Sequence, residues 1–238
     1  MKKDVFIETH CVTALRDAVM SALAEGEGQP AMVMASGEAG TGKTRAARTL
    51  YAQSGGVYLR ALEAMSQNAF LQEIAFELAG LRPHGVARAK REIVSRLRDD
   101  PCPIYIDEAD RLHISRLEDL RDIHDVTGSP VVMIGETALP ARLTARARIN
   151  DRIPGAYRVA FDAITPGDVL AFAAQAAGLR LSPEALALVY KETRGNFRRV
   201  HNAIQILEAA AKTAGVHDVS AELCRAALAA KSNRRGTA

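Results

Sequence analysis

The sequence reads Gly37-Glu38-Ala39-Gly40-Thr41-Gly42-Lys43-Thr44 just after a short apolar run, and this octapeptide fits the pattern G-x-x-x-x-G-K-[ST] at every fixed position. The preceding residues 31–36 have the character of a buried strand, and residues 44–53 have a helical pattern. A strand, a glycine-rich turn and a helix in this order present backbone N–H groups and the positive end of the helix to a phosphate group. The octapeptide therefore predicts a phosphate-binding loop, the P-loop.

The P-loop predicts binding of ATP with Mg²⁺. We expect Lys43 to reach the β- and γ-phosphates and so to take part in catalysis, and Thr44 to hold the metal ion. The expected nucleotide contacts are Gly37, Glu38, Ala39, Gly40, Thr41, Gly42, Lys43, Thr44 and Arg45.

A second motif supplies two carboxylates. Residues 103–107 read as a buried strand that ends in Asp107, and Glu108 follows directly. Ligands of α/β sheets bind at the carboxyl ends of the strands. We expect Asp107 to hold Mg²⁺ through water and Glu108 to act as the general base that polarises the attacking water.

The rest of the chain alternates in the same way. Strands are predicted over residues 57–61, 130–135 and 157–161, and helices over 66–79, 87–98 and 116–126. This alternation predicts an α/β fold with a five-stranded parallel sheet flanked by helices. No strand is expected after residue 161. We therefore predict a nucleotide-binding domain over residues 1–161, a small helical lid over 162–231, and a basic flexible tail over 232–238.

Composition limits the classes of function. The chain has 238 residues and a net charge of +3, and its 31 basic residues comprise 24 Arg and 7 Lys. Arginine makes forked contacts with phosphate, although a codon preference for arginine explains the same count equally well. Three scattered cysteines favour a reducing compartment over a disulfide framework. No apolar run is long enough to span a membrane, so we expect a cytoplasmic protein.

Together the motifs resemble an AAA+ ATPase module with its lid, which implies ATP hydrolysis. The resemblance implies three further roles. Glu136 or Thr137, at the end of the strand over 130–135, would orient the attacking water as sensor 1. Arg148, and after it Arg152, would reach the ATP of a neighbouring subunit. Arg198, in Gly195-Asn196-Phe197-Arg198, would touch the nucleotide from the lid as sensor 2. For each of these, a plain strand end or a solvated basic residue remains an alternative.

Within AAA+ proteins the chain resembles the transposition ATPases of the MuB, TnsC and TniB family. The similarity lies in residues 44–47 (TRAA), 107–112 (DEADRL), 120–125 (LRDIHD) and 128–135 (GSPVVMIG). It implies a protein that oligomerises on double-stranded DNA in the presence of ATP, as a homo-oligomer or helical filament. Such a filament marks the target DNA and activates a transposase. It also implies a protein of a bacterial cytoplasm, encoded by the host, a phage or a transposon.

Only 36 residues precede Gly37, fewer than the DNA-binding domain of MuB requires, so we expect DNA contacts on the AAA+ core itself. Loops after the second and third strands and the basic stretch over 82–98 are candidates for backbone contacts that do not depend on sequence. The candidate residues are Arg60, Arg111, His113, Arg116, Arg88, Lys90 and Arg91. A solvated helix face is the alternative for the basic stretch.

Two other functions remain open from the sequence. One is a replication loader of the helicase or origin type, and the other is a secretion ATPase of the ExeA type without a role on DNA. Stimulation of hydrolysis by DNA would separate the transposition ATPase and the replication loader from the secretion ATPase. DNA-dependent filaments would separate the transposition ATPase from the loader.

Overall fold

The computed structural model describes residues 1–2, 4–25 and 29–235. They form two compact units. The larger unit contains His10–Ala39 and Lys43–Phe161. The smaller unit contains Met1–Thr9, Gly40–Gly42 and the chain from Asp162 onward. No helix among the described residues is long and apolar enough to cross a membrane.

The larger unit is built on a five-stranded parallel sheet, which confirms the predicted fold class. The strands lie in the order β2-β3-β4-β1-β5. Their bounds are β1 Met32–Gly37, β2 Val57–Arg60, β3 Ile104–Asp107, β4 Val131–Gly135 and β5 Arg158–Phe161. Every residue of β3 and β4 is buried. Apart from Asp107 at the end of β3, the central strands are therefore apolar on both faces, as expected of a parallel sheet with helices on either side.

Seven helices accompany the sheet in the described part of the larger unit. They are α1 His10–Glu25, α2 Lys43–Ser54, α3 Gln67–Ala79, α4 Val86–Asp99, α5 Ile114–Thr127, α6 Leu139–Thr144 and α7 Ala147–Asn150. The four helices predicted between the strands form with ends within two residues of those expected. Short 3₁₀ turns occupy Ala109–Arg111 and Gly155–Tyr157.

Helix α1 was not predicted, although its pattern is visible in the sequence. Its buried residues recur at helical spacing: Cys11, Val12, Leu15, Ala18, Val19 and Ala22. This stripe packs the helix beside β1 and β5. The helix lacks an acidic residue in its first turn and a basic residue in its last, so the usual charge signals of its ends are missing.

The topology brings the two predicted motifs to the same edge of the sheet. Strand β1 leads into the P-loop and β3 ends at Asp107, and β4 lies between them. Because all five strands are parallel, the carboxyl ends of β1, β2 and β3 share one edge. This is the edge at which open α/β sheets bind their ligands.

The smaller unit is mainly helical from Asp162 onward. It contains α8 Pro166–Phe172, a π-helical turn Ala173–Ala177, α9 Pro183–Thr193, α10 Phe197–Ala214 and α11 Ala221–Arg235. The side chains of Thr165 and Ser182 cap α8 and α9, and proline follows each cap.

The expectation of no strand after residue 161 was wrong. Two-residue strands β6 Arg180–Leu181 and β7 Asp218–Val219 pair in parallel, and Arg180 also forms an ion pair with Asp218. A pair this short leaves no alternating pattern in the sequence. Helix α11 extends to Arg235, into the predicted flexible tail, while residues 236–238 lie outside the described residues.

Candidate nucleotide site

Glycines shape the P-loop at three positions. Gly40 and Gly42 have φ angles of 87° and 102°, which favour glycine because a Cβ atom is strained there. Gly37 approaches Phe161 so closely that a Cβ atom would clash with the Phe161 carbonyl oxygen. The loop therefore depends on its glycines for backbone conformation and, at Gly37, for the close approach of β1 and β5.

Lys43 lies at the start of α2 and is only 8% exposed. Its ammonium donates to the carbonyl oxygens of Gly37, at 2.8 Å, and Glu38, at 2.7 Å. The lysine is thus held against the backbone of the loop to which the motif assigns phosphate binding. Arg45, the next candidate on α2, is exposed.

Asp107 is 2% exposed, and three donors fix its carboxylate. Oδ1 accepts from the Thr44 hydroxyl at 3.1 Å and from the Glu108 backbone N–H at 3.0 Å. Oδ2 accepts from the Tyr58 hydroxyl at 2.8 Å. The two residues predicted to hold Mg²⁺, Thr44 and Asp107, therefore lie together, and their oxygen atoms are the hard ligands that Mg²⁺ prefers.

Glu108 follows β3 in the left-handed conformation, with φ 57° and ψ 37°. A residue with a Cβ atom adopts this conformation at a cost of about 1–2 kcal/mol. Arg60 donates to Oε1 through both Nε, at 2.9 Å, and Nη2. The Arg111 Nε lies 2.7 Å from Oε2. Each oxygen of the predicted general base thus faces a guanidinium group.

The end of β4, where sensor 1 is expected, is held by a residue that was not predicted. Asp110 Oδ1 accepts from the backbone N–H of Glu136 at 3.0 Å. A Cβ atom at Gly135 would clash with the same oxygen, so glycine is required for this contact. The Glu136 side chain itself is exposed, and its role as sensor 1 stays a prediction.

The two candidates for the trans-acting arginine differ in their surroundings. Arg152 forms two hydrogen bonds of 3.0 Å with the Asp125 carboxylate. Arg148 is exposed, and the described residues offer it no hydrogen bond or ion pair. Arg148 is therefore the one of the two that is available to a second subunit.

Arg198 belongs to the smaller unit, at the start of α10. Its backbone N–H donates to the carbonyl oxygen of Gly40, at 2.9 Å, and its side chain is exposed. Asn196 caps the helix by accepting from the Arg199 N–H at 3.3 Å. A Cβ atom at Gly40 would lie 2.9 Å from the Cβ atom of Arg198. Arg198 and P-loop residue Gly40 thus meet within one unit.

The candidate DNA contacts divide into two groups. Lys90 lies 2.7 Å from Asp119 and 3.2 Å from Asp122, and Arg116, 13% exposed, donates to the Met65 carbonyl oxygen. Gln67, the first residue of α3, also donates to the buried Asp119, so this carboxylate joins α3, α4 and α5. The remaining candidates have exposed side chains: Arg60, Arg88, Arg91, Arg111 and His113. The side chain of His113 also caps α5.

Tyr58 and Asp110 are the site residues that the sequence analysis missed. Each binds a residue distant in sequence. Tyr58 lies outside the recognised motifs, and Asp110 lies in the stretch 107–112, which by itself indicates no contact with Glu136. The only available signal was the position of Tyr58 near the end of a strand beside β3.

Known proteins resemble this chain in the region of the P-loop and Asp107. Residues 27–143 match the model of a family described as an AAA domain. A protein of Staphylococcus aureus, called a potential ATP-binding protein, is 28% identical over 133 residues. The match covers 52% of this chain and 48% of that protein, so the chain spans about half the length of this relative.

Solved structures agree on the fold. The ORC2 protein of Aeropyrum pernix has a TM-score of 0.67 at 16% identity, over 96% of this chain and 69% of its own. The ORC1 protein of the same organism, in complex with DNA, has a TM-score of 0.59 at 20% identity, over 94% of this chain and 65% of its own. The fold of this chain is that of the AAA+ P-loop NTPases.

Proposed function

We propose that the chain is an ATPase that binds double-stranded DNA without sequence preference and oligomerises on it in the presence of ATP. We further propose that it serves DNA transposition by selecting target DNA and activating a transposase. In this proposal residues 1–161 are the nucleotide-binding domain and residues 162–231 are its helical lid. The match to an AAA domain and the geometry of the P-loop and Asp107 support the ATPase part of this proposal.

In the proposed hydrolysis each residue of the site has its own role. The backbone N–H groups of residues 37–44 bind the phosphates, and Lys43 neutralises charge on the β- and γ-phosphates. Thr44 and Asp107 hold Mg²⁺, which when bound neutralises charge that develops on the phosphates. Glu108 accepts a proton from the attacking water.

The observation that carries the DNA part of the proposal is the pair of arginines on Glu108. Because both carboxylate oxygens face guanidinium groups, Glu108 is poorly placed to accept a proton from water. The side chains of Arg60 and Arg111 are nonetheless 57% and 52% exposed, so an outside anion can reach them. DNA phosphates compete for these arginines and thereby release the general base. DNA binding and hydrolysis are coupled through this pair.

Assembly on DNA brings Arg148 to the ATP of the neighbouring subunit, where it stabilises charge on the γ-phosphate. Its exposure and lack of a partner in the described residues support this role. The transposition role rests on the similarity to MuB, TnsC and TniB over residues 107–112 and 128–135.

A replication initiator or loader is the second candidate function. The similarity to the ORC2 and ORC1 proteins favours it, since the second of these was solved with DNA. Electron microscopy with ATP and long duplex DNA separates the candidates. A transposition ATPase of the proposed kind forms continuous filaments, whereas a loader forms discrete particles.

The test of the main proposal is ATP hydrolysis with and without double-stranded DNA, at low and moderate salt. We expect DNA to stimulate hydrolysis and the stimulation to fade as salt rises, because phosphate contacts release counterions. Hydrolysis that is indifferent to DNA would leave an AAA+ ATPase and refute its role on DNA.

A further inference from the structure

Strand β2 contributes a side chain to each of the two acidic residues of the site. Arg60, its last residue, pairs with Glu108, and Tyr58, two residues earlier, binds Asp107. Residues two apart on a strand point to the same face, so one short strand serves both carboxylates. The pairing of Arg60 with Glu108 belongs to the proposed coupling to DNA, whereas Tyr58 has no role in it.

The hydroxyl of Tyr58 is set to donate rather than accept toward Asp107. Arg48, on α2, lies with Nε 3.4 Å from the Tyr58 oxygen and its guanidinium carbon 5.5 Å from the ring centroid. This long contact is with the acceptor side of the hydroxyl, which leaves its proton for Asp107 Oδ2. Burial raises the pKa of Tyr58 to about 12, and the hydrogen bond to Asp107 also raises it while that to Arg48 lowers it.

This contact restricts how the Asp107 carboxylate can turn. Thr44 and the Glu108 N–H both bind Oδ1, and Tyr58 is the side chain that binds Oδ2. Without the third donor only Oδ1 would be held, and the position of Oδ2 would be fixed less firmly. A metal ligand is most effective when a second residue fixes its orientation.

We propose that Tyr58 is a positioning residue for magnesium: its hydroxyl holds Asp107 in the orientation that binds the metal of the ATP complex. The inference rests on the proposed ATP function and adds a residue outside both sequence motifs. Tyr58 acts through Asp107, to which its hydroxyl donates.

The test compares Tyr58→Phe, which removes only the hydroxyl, with wild type and with Tyr105→Phe. Tyr105 is the register partner of Tyr58 on β3, is buried, and bonds to Ser54 instead of Asp107. Binding of a fluorescent ATP analogue is followed by anisotropy without DNA, first in EDTA and then over a series of free Mg²⁺ concentrations.

For Tyr58→Phe we expect the Mg²⁺ concentration at half-maximal enhancement of binding to rise by about 10- to 100-fold, the usual effect of losing a hydrogen bond that orients a metal ligand. Affinity in EDTA should not change, and Tyr105→Phe should match wild type in both conditions. An unchanged Mg²⁺ midpoint in Tyr58→Phe overturns the inference. So does an equal loss of affinity in EDTA and in Mg²⁺, which would show that Tyr58 supports the fold alone. If wild type itself fails to bind the analogue, the proposed ATP function fails instead.

Discussion

The P-loop and the carboxyl end of β2 are built in different ways, although both lie at the same edge of the sheet. In the P-loop, Lys43 bonds to the backbone of residues only five and six positions away. At the end of β2, Tyr58 and Arg60 bond to Asp107 and Glu108, which lie 49 and 48 positions away. A contiguous segment carries the first arrangement, whereas the parallel pairing of β2 with β3 creates the second.

This difference between the P-loop and the end of β2 corresponds to two different proposed roles. In our proposal the contiguous loop binds the phosphates, a task that backbone N–H groups and one lysine perform wherever such a loop forms. We propose that the partners on β2 control the orientation and the availability of the two carboxylates, which depends on strand register. Changes in the loop should therefore remove nucleotide binding altogether, and changes on β2 should adjust metal affinity or the response to DNA.

Lys43→Ala tests the P-loop and should have the largest effect. Loss of a buried charge to which we assign phosphate binding should weaken ATP binding by about 1000-fold. Calorimetry or anisotropy measures this directly. Lys191→Ala, which changes an exposed lysine on α9, is the control and should bind as wild type does. Tight ATP binding by Lys43→Ala would refute the P-loop assignment.

The variants Arg148→Ala and Arg152→Ala compare two nearby arginines, of which the first is exposed and the second is bound to Asp125. Arg148→Ala should hydrolyse ATP about 100-fold more slowly in the DNA-bound assembly, because one donor to the transition state is lost. Arg152→Ala should keep most of its activity, since Arg152 is bound to Asp125.

Mixing experiments separate a role in the neighbouring subunit from a role within the same chain. Arg148→Ala subunits supply an intact Glu108, and Glu108→Gln subunits supply an intact Arg148. Their mixture should recover part of the wild-type activity at shared sites. A mixture as inactive as its components, with the same result for Arg152→Ala, would argue against a shared site.

Lys90→Ala and Arg91→Ala form a smaller comparison on α4. Lys90→Ala should lower the free energy of unfolding by about 1–3 kcal/mol, because it leaves the buried Asp119 with fewer donors. Arg91→Ala should change stability by at most about 0.5 kcal/mol but reduce the salt dependence of DNA binding by about one counterion. Chemical denaturation and DNA titrations measure the two effects. A stable Lys90→Ala with weakened DNA binding would reverse the assignment of these two residues.

These comparisons show where sequence reasoning succeeded. The sheet and the P-loop were predictable because each strand is a short apolar run and the loop is one unbroken motif. Lys90 and Arg116 had the same appearance as exposed bases, since nothing in sequence shows that Asp119 lies within reach. The pairing of Glu108 with Arg60 and Arg111 was equally hidden. It requires the left-handed backbone of Glu108 as well as the register of β2 and β3.

The central claim is that Arg60 and Arg111 restrain Glu108 until DNA binds. The direct measurement is ATP turnover of the double variant Arg60→Ala, Arg111→Ala without and with double-stranded DNA, beside wild type and Glu108→Gln. We predict that DNA-free turnover rises by about 3- to 10-fold over wild type and that DNA adds little further, since the general base is already free. DNA-free turnover as low as that of Glu108→Gln would contradict the account, because the arginines would then assist the general base rather than restrain it.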